Sequence, residues 1–295
     1  MRAGNRCERQ MTYLSVCAIF RDEADYLEEW IEFHRLVGVE RFFLYDNGSV
    51  DGSRKVLAHF ERDGTVQVRD WAGRQYDAYD DCLARHGAES RWIAFIDLDE
   101  FLFSPTGAAL PEMLARYEPY PAVGVHWCVF GGSGHLRKPD GLVIESYLDR
   151  TTDPILNRWI KSVVDPARTL RCVSSHAFRH RAERARAFAV DERCRPLRGD
   201  KPRMEPGSNV GWSNDISFDL LRINHYWTKS RQEWERKLAR PDAMHGGDRR
   251  FASMEWERVQ ATLSQQHDDA ITAHAPALRR ALGARAASAS VDAAR

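Results

Sequence analysis

The stretch Trp92-Ile93-Ala94-Phe95-Ile96-Asp97-Leu98-Asp99-Glu100-Phe101-Leu102 decides the fold. It begins as an apolar run of the length of a buried strand and ends in three acids among four residues. Like charges clustered at the end of a buried strand repel one another when desolvated, and a divalent cation would remove that objection. In an extended segment alternate side chains share a face, so Asp97 and Asp99 are expected to point the same way with Leu98 packed opposite. Paired carboxylates are hard oxygen ligands that suit Mg2+ or Mn2+, ions that in turn suit a diphosphate. A solvated strand end with scattered acids is the plain alternative for Asp-x-Asp taken alone; the buried run before it shifts the balance toward a site.

Working outward toward the N-terminus, Tyr13 to Phe20 is a near-continuous apolar run, as expected of a strand covered on both faces, and Arg21-Asp22-Glu23 ends it. Leu27, Trp30, Ile31, His34 and Val37 follow helical spacing, with Gly38 as terminator. Arg41 to Tyr45 reads as a second strand closed by Asp46-Asn47-Gly48-Ser49, a helix follows from about Asp51, and Thr65 to Arg69 is a third strand. Tyr76, Tyr79, Cys82, Leu83 and His86 mark a further amphipathic helix before Trp92 to Asp97, the fourth strand. This alternation predicts an α/β fold with a doubly wound, mostly parallel sheet. Such sheets bind ligands at the carboxyl ends of their strands. Three polar clusters, at Arg21, Asp46 and Asp97, fall at those ends and converge on one crevice. No Gly-x-Gly-x-x-Gly follows the first strand and no Walker-type lysine loop occurs, which excludes those two nucleotide fingerprints.

Toward the C-terminus, Leu110, Met113, Leu114 and Tyr117 predict a helix ended by Pro119 and Pro121, and Ala122 to Phe130 a strand. Gly131-Gly132-Ser133-Gly134 comes next; it would let backbone approach a ligand closely or form a flexible hairpin tip. Arg158 to Arg198 is strongly basic, with strand-like pieces at Ser162 to Val164 and Thr169 to Val173, and Pro196 to Gly211 reads as a mobile loop. Leu220 to Asn224 is a last strand leading into His225-Tyr226-Trp227-Thr228-Lys229-Ser230, where Ser230 would cap a helix carrying Trp234 and Leu238. Helices near Met254 to Gln266 and Ile271 to Leu282 precede an Ala/Ser/Arg-rich tail from Ala284 that is expected to fray. The division expected is an extension over 1–12, a main domain over 13–240, C-terminal helices over 241–283 and a tail over 284–295.

The 295 residues suffice for a sizeable core, and 43% hydrophobic with 29% charged residues is an ordinary globular balance. Lys plus Arg and Asp plus Glu number 43 each, so net charge gives no reason to expect a nucleic-acid partner. Nine tryptophans fit either carbohydrate-facing surfaces or the core. None of the six cysteines forms a Cys-x-x-Cys pair, which argues against structural zinc; Cys17 and Cys128 read as buried thiols. No apolar segment is long enough to span a bilayer, and Met1 to Gln10 lacks the apolar core of a signal peptide. A cytoplasmic location with at most peripheral membrane contact is the expectation.

Five pieces in order now carry a resemblance: Val16 to Phe20 with Arg21-Asp22-Glu23; Trp30-Ile31-Glu32-Phe33-His34; Phe43-Leu44-Tyr45-Asp46-Asn47-Gly48-Ser49; Trp92 to Leu102; and His225-Tyr226-Trp227-Thr228-Lys229-Ser230. Together they resemble family 92 glycosyltransferases, with family 2 as wider relatives, over roughly Tyr13 to Lys237. The resemblance implies a GT-A-type, Rossmann-like fold, a nucleoside-diphosphate sugar donor, Mn2+ or Mg2+, and inversion at the anomeric carbon. It implies Asp99 as metal ligand, Asp97 at ribose or metal, and His225 as a further metal ligand. Asp46, with neighbouring Asn47, would meet the base or ribose, Arg21 would face the nucleotide, Gln75 and Asp81 would line the donor pocket, and Lys161 and Lys229 would meet the diphosphate.

In the implied chemistry a carboxylate from a segment after the metal motif takes the acceptor hydroxyl's proton. Glu145, in Gly141-Leu142-Val143-Ile144-Glu145-Ser146-Tyr147, is the candidate, with Asp140, Asp149 and Asp215 as rivals. Trp127, Gly131 and Gly132 would shape the acceptor side, the acceptor being a glycan, lipid-linked or protein hydroxyl. Many family 92 members are membrane-anchored and this sequence shows no anchor, so a soluble bacterial-type enzyme is expected. Acidic strand ends also serve a metal-dependent phosphoesterase or sugar nucleotidyltransferase, and a non-catalytic sugar-binding module is a third reading.

Overall fold

The computed structural model describes residues 11–181, 188–197, 209–239 and 255–293. Residues 1–10 of the expected extension, most of the Pro196–Gly211 loop and 241–254 of the expected C-terminal helices lie outside the described residues. The chain begins β1 (Thr12–Phe20), α1 (Ala24–Leu36), β2 (Arg41–Asp46), α2 (Ser53–Arg62), β3 (Val66–Asp70), α3 (Gln75–His86), β4 (Ser90–Phe95) and β5 (Glu100–Phe103). It continues α4 (Leu110–Leu114), β6 (Ala122–Phe130), α5 (Val143–Ser146), β7 (Asp149–Arg150), α6 (Pro154–Asn157) and β8 (Ile160–Val164). The remainder is β9 (Thr169–Ser174), β10 (Ala177–His180), β11 (Val190–Asp191), β12 (Arg222–Tyr226), α7 (Arg231–Ala239), α8 (Trp256–Leu263), β13 (Gln266–His267) and α9 (Ala275–Ala293).

The expected parallel half is present: β1 pairs in parallel with β2 and with β4, and β2 with β3, giving the order β3-β2-β1-β4. Beyond β4 the sheet is mixed. β8 runs antiparallel between β4 and β6, while β12 pairs in parallel with β6 and antiparallel with β5. The apolar β1 is covered on both faces, as its composition requires. Leu14, Val16, Ala18 and Phe20 join Trp30, Ile31, Phe42, Leu57 and Phe60 on the α1–α2 side. Cys17 packs with Phe43, Ala78, Tyr79 and Cys82 on the α3 side, so the two-residue period of the strand partitions the core. No described helix is long and apolar enough to cross a membrane.

The segment Trp30 to His34 has a positioning role. β5 pairs with β12, and part of its other edge is met by side chains of α1. Trp30 Nε1 donates to the Glu100 carbonyl at 2.8 Å, and the Leu102 N–H donates to His34 Nε2 at 3.1 Å. These bonds satisfy backbone groups that a buried strand edge would otherwise strand without partners. They also fix β5 immediately beside the acids.

Helix α9 continues past Ala284, and Arg285 donates to Glu32 at 2.7 Å with its guanidinium 3.7 Å from the centre of the Phe60 ring. One expectation is corrected here: Asp97-Leu98-Asp99 is not the extended end of β4. The strand stops at Phe95, and the Glu100 N–H donates to the Asp97 carbonyl at 3.1 Å, closing a turn that reverses the chain into β5. The strict face-sharing of a strand therefore does not apply to the two acids.

Candidate active site

The turn gives Asp97 and Asp99 different partners. Asp97 Oδ1 accepts from Gln75 Nε2 at 2.8 Å and, more weakly, from the Tyr79 hydroxyl at 3.4 Å. Its Oδ2 accepts from Lys161 Nζ at 2.6 Å. Lys161 is buried on β8 and also lies 3.6 Å from Glu100, which is fully enclosed and uses Oε2 to accept the Asp97 N–H at 2.9 Å. Burial drives the Glu100 carboxyl well above its usual range, against the pull of Lys161. Burial lowers the Lys161 ammonium, but Asp97 and Glu100 outweigh it and leave the group raised.

Asp99 faces the other way. Its Oδ1 lies 3.6 Å from His225 Nε2, and its Oδ2 accepts from Lys237 Nζ at 2.6 Å. Burial alone would raise this carboxyl; Lys237, His225 and Lys229 together hold it well below the usual carboxylate range. Burial lowers the His225 imidazole against the pull of Asp99. His225 reaches Asp99 because β12 lies antiparallel to β5 with His225 opposite Glu100, and the Tyr226 N–H donates to the Asp99 carbonyl at 2.8 Å.

Among the described residues no group of three or more His, Cys, Asp and Glu gathers to hold a metal. The pair Asp99 Oδ1 and His225 Nε2 nevertheless fits a small hard cation. The two donor atoms, a hard carboxylate oxygen and an imidazole nitrogen, lie 3.6 Å apart, while the other ring nitrogen of His225, Nδ1, is buried without a partner among the described residues. Mg2+ and Mn2+ are commonly held by one or two protein groups, with water and phosphate completing the shell. Asp97 does not fit a metal-ligand role equally well, since Lys161 and Gln75 occupy its two oxygens.

The remaining predicted residues divide. Gln75, expected in the donor pocket, stands beside Asp97. Asp46 is buried at the end of β2, where it accepts the Ser49 N–H at 2.8 Å, and Asn47 donates to the Trp71 carbonyl at 2.9 Å. Both therefore brace the strand-end loops. Arg21 is exposed and lies 3.8 Å from Asp22. Lys229 adopts a left-handed φ of 54° and places Nζ 3.3 Å from the centre of the Tyr26 ring, close enough to Asp99 to lower its carboxyl. Lys161 is turned under Asp97 rather than toward open space. Asp81 accepts from the Tyr45 hydroxyl of β2 at 2.8 Å and from Arg85, and is not gathered with Asp97.

On the acceptor side, Trp127 lies between imidazoles, with ring centres 4.2 Å from His225 and 5.0 Å from His176. Gly131 and Gly132 are corrected: they admit helix α8 rather than a ligand. A Cβ on Gly131 would sit 2.8 Å from Leu263, and one on Gly132 2.6 Å from the Lys229 carbonyl and 2.7 Å from Trp256. Glu145 is tied to Arg279 of α9 by two bonds, at 2.5 and 3.2 Å, so the structure does not turn it toward the acids. Asp149 and Asp215 are likewise engaged, with His267 and Arg195.

Sequence reasoning missed Lys237 and His176. Nothing in the helical pattern around Trp234 marks Lys237; only the β5–β12 pairing brings α7 over Asp99. His176 Nδ1 lies 2.8 Å from the Ile160 carbonyl, an atom that only accepts, so Nδ1 carries the proton and Nε2 is the acceptor nitrogen. Burial, assisted by Lys161, holds this imidazole down to about 3, so it is neutral at physiological pH.

The family model described as Glycosyltransferase family 92 matches residues 11–195. The chain belongs to glycosyltransferase family 92. Curated relatives include a family 92 protein of Oryza sativa subsp. japonica, 32% identical over 171 residues, which covers 56% of this chain and 29% of the relative. Another, from Arabidopsis thaliana, is 30% identical over 167 residues, or 52% of this chain and 28% of the relative. The chain thus spans under a third of the length of these relatives. The Arabidopsis thaliana galactan beta-1,4-galactosyltransferase GALS1 is 31% identical over 106 residues, covering 32% of this chain and 21% of that protein. Among solved structures, S. aureus TarS 1-349 in complex with UDP has a TM-score of 0.36 at 14% identity, covering 52% of this chain and 47% of that one.

Proposed function

We propose that this family 92 chain is a metal-dependent, inverting glycosyltransferase that moves a sugar from a nucleoside diphosphate to an acceptor hydroxyl. The observation that supports it most is the approach to 3.6 Å of Asp99, in the turn after β4, and His225, on the sequence-distant β12. Asp97, oriented by Gln75, Tyr79 and Lys161, is held to accept a ribose hydroxyl, with Asp46 and Asn47 shaping the neighbouring loop against the nucleoside. Asp99 and His225 would hold Mn2+ or Mg2+, which supplies charge neutralisation for the departing diphosphate. Lys229 and Lys237 add positive charge on the same side. The acceptor enters along Trp127, His176 and Trp159, an aromatic row with Trp159 5.1 Å from His176. There the neutral His176 Nε2 accepts a hydrogen bond from the attacking hydroxyl and orients it. The galactosyltransferase names among the relatives make galactosyl donors the first to test. Buried thiols without a bridge among the described residues support work in a reducing, cytoplasmic compartment.

The test is thermal shift and calorimetry with a panel of nucleoside diphosphates and their galactosyl and glucosyl esters, each with and without Mn2+. A ligand that binds the native state raises the melting temperature by mass action. Mn2+-dependent binding of one nucleotide, lost in Asp99→Asn with the fold intact, is the expected outcome. A folded sample that binds no nucleotide at millimolar concentration would overturn the reading.

A further inference from the structure

The acids of the turn are met by two lysines, and these are held differently. Lys161 is 1% exposed and sits between the part-exposed Asp97 and the enclosed Glu100, so moving it would leave both carboxyl groups without their cation. Lys237 lies in the last turn of α7 with its side chain 28% exposed. Its Nζ donates to Asp99 Oδ2 at 2.6 Å and to the Trp227 carbonyl at 2.8 Å. It therefore caps one oxygen of the carboxylate whose other oxygen faces His225. A divalent ion held by Asp99 and His225 would bring two positive charges within a few ångströms of that ammonium, and the two cations would repel. A lysine is a point charge on a flexible stem, and one that is 28% exposed can swing where the enclosed Lys161 cannot.

We infer that Lys237 is the exchangeable counter-ion of Asp99: it neutralises the carboxylate before the divalent ion arrives, is displaced by that ion, and then turns its charge to the diphosphate. This rests on the metal-dependent reading above. It makes Lys237 a positioning residue for the metal and a binding residue for the donor, and it ties α7 to donor occupancy. Removing the ammonium has effects of opposite sign on the two ligands, which a merely structural role would not produce.

The experiment measures Mn2+ affinity by the loss of the free-ion EPR signal, and affinity for the Mn2+–pyrophosphate complex by calorimetry, for wild type, Lys237→Met, Lys237→Arg and Asp99→Asn. Charge-assisted hydrogen bonds of this kind correspond to about tenfold or more in an equilibrium constant. Lys237→Met is expected to bind Mn2+ alone about tenfold tighter than wild type, and Mn2+–pyrophosphate about tenfold weaker. Lys237→Arg keeps the charge and stays near wild type on both. In the wild-type chain, acetic anhydride labelling of Lys237, read by mass spectrometry, should rise on adding Mn2+; this arm needs no variant to fold. Mn2+ affinity that depends on Asp99 but is equal in wild type and Lys237→Met, with labelling unchanged by Mn2+, would overturn this inference alone. Absence of Mn2+ binding in every form would overturn it together with the metal-dependent reading.

Discussion

Asp268→Asn tests how the strand that delivers His225 is held. Asp268 follows β13 and accepts from Arg222 at 2.7 and 3.0 Å and from Arg150 at 2.8 Å. Arg222 lies on β12, three residues before His225, and Arg150 on β7, so one carboxylate clamps two strands to the C-terminal segment. The side chains are 6%, 14% and 12% exposed for Arg222, Arg150 and Asp268. Breaking such an enclosed pair leaves guanidinium groups uncompensated, which costs about 3 to 5 kcal/mol. The remaining amide oxygen still accepts one bond, so the expected loss is about 3 kcal/mol at pH 7, or a fall of roughly 5 °C in melting temperature for a chain of this size. The assay is urea unfolding with the slope checked for equality between the two forms. The sign with pH follows from the carboxyl. Burial raises it, but Arg222 and Arg150 outweigh burial and leave it below its ordinary value. Its contribution is therefore present above the unfolded value of about 4 and is lost as pH falls through the lowered folded value. The gap between wild type and Asp268→Asn should narrow in acid. A loss under about 1 kcal/mol at pH 7 would refute the clamp, given what enclosed pairs cost when broken, and so would a gap that widens below pH 4.

Gly132→Ala places a methyl 2.6 Å from the Lys229 carbonyl and 2.7 Å from Trp256, and should destabilise by about 1 to 3 kcal/mol; Gly283→Ala in α9 meets nothing within 4 Å and should be neutral or stabilising by up to about 1 kcal/mol. Equal urea midpoints for the two variants would show that α8 does not press on the glycine turn. Lys161→Met should cost about 3 to 5 kcal/mol by stranding Asp97 and Glu100, and Lys161→Met/Glu100→Gln should recover part of it; strictly additive losses in urea unfolding would refute the coupling.

Much of the parallel half was legible because its signals are local. The runs of β1 and β2 are apolar on both faces, the helices between them carry one inward stripe, and polar clusters end each strand. The mixed half was not legible in the same way. β5 is four residues long and begins with an acid, so Glu100 reads as part of an acidic cluster until Lys161 is brought beneath it from β8. Gly131 and Gly132 look like a ligand-approach loop because composition cannot say whether the close neighbour is a substrate or α8. Glu145 looks enclosed by its apolar neighbours, yet its partner Arg279 comes from a helix more than a hundred residues later.

The same division explains how the site is made. Asp99 is placed by a turn, a local event that the sequence announces, while His225 is placed by register. With His225 opposite Glu100 and the Tyr226 N–H on the Asp99 carbonyl, the β5–β12 ladder sets the separation of the two donor atoms through backbone bonds alone. A shift of β12 by one residue would turn His225 to the other face of the sheet and put Asn224 or Tyr226 in its place. The Trp30 and His34 bonds to β5 on one side, and the Arg222–Asp268 clamp on β12 on the other, both act against such a shift. Residues away from the turn thus hold Asp99 and His225 in register, which is why the Trp30–His34 segment and the acids of the turn form one structural unit despite lying on different elements.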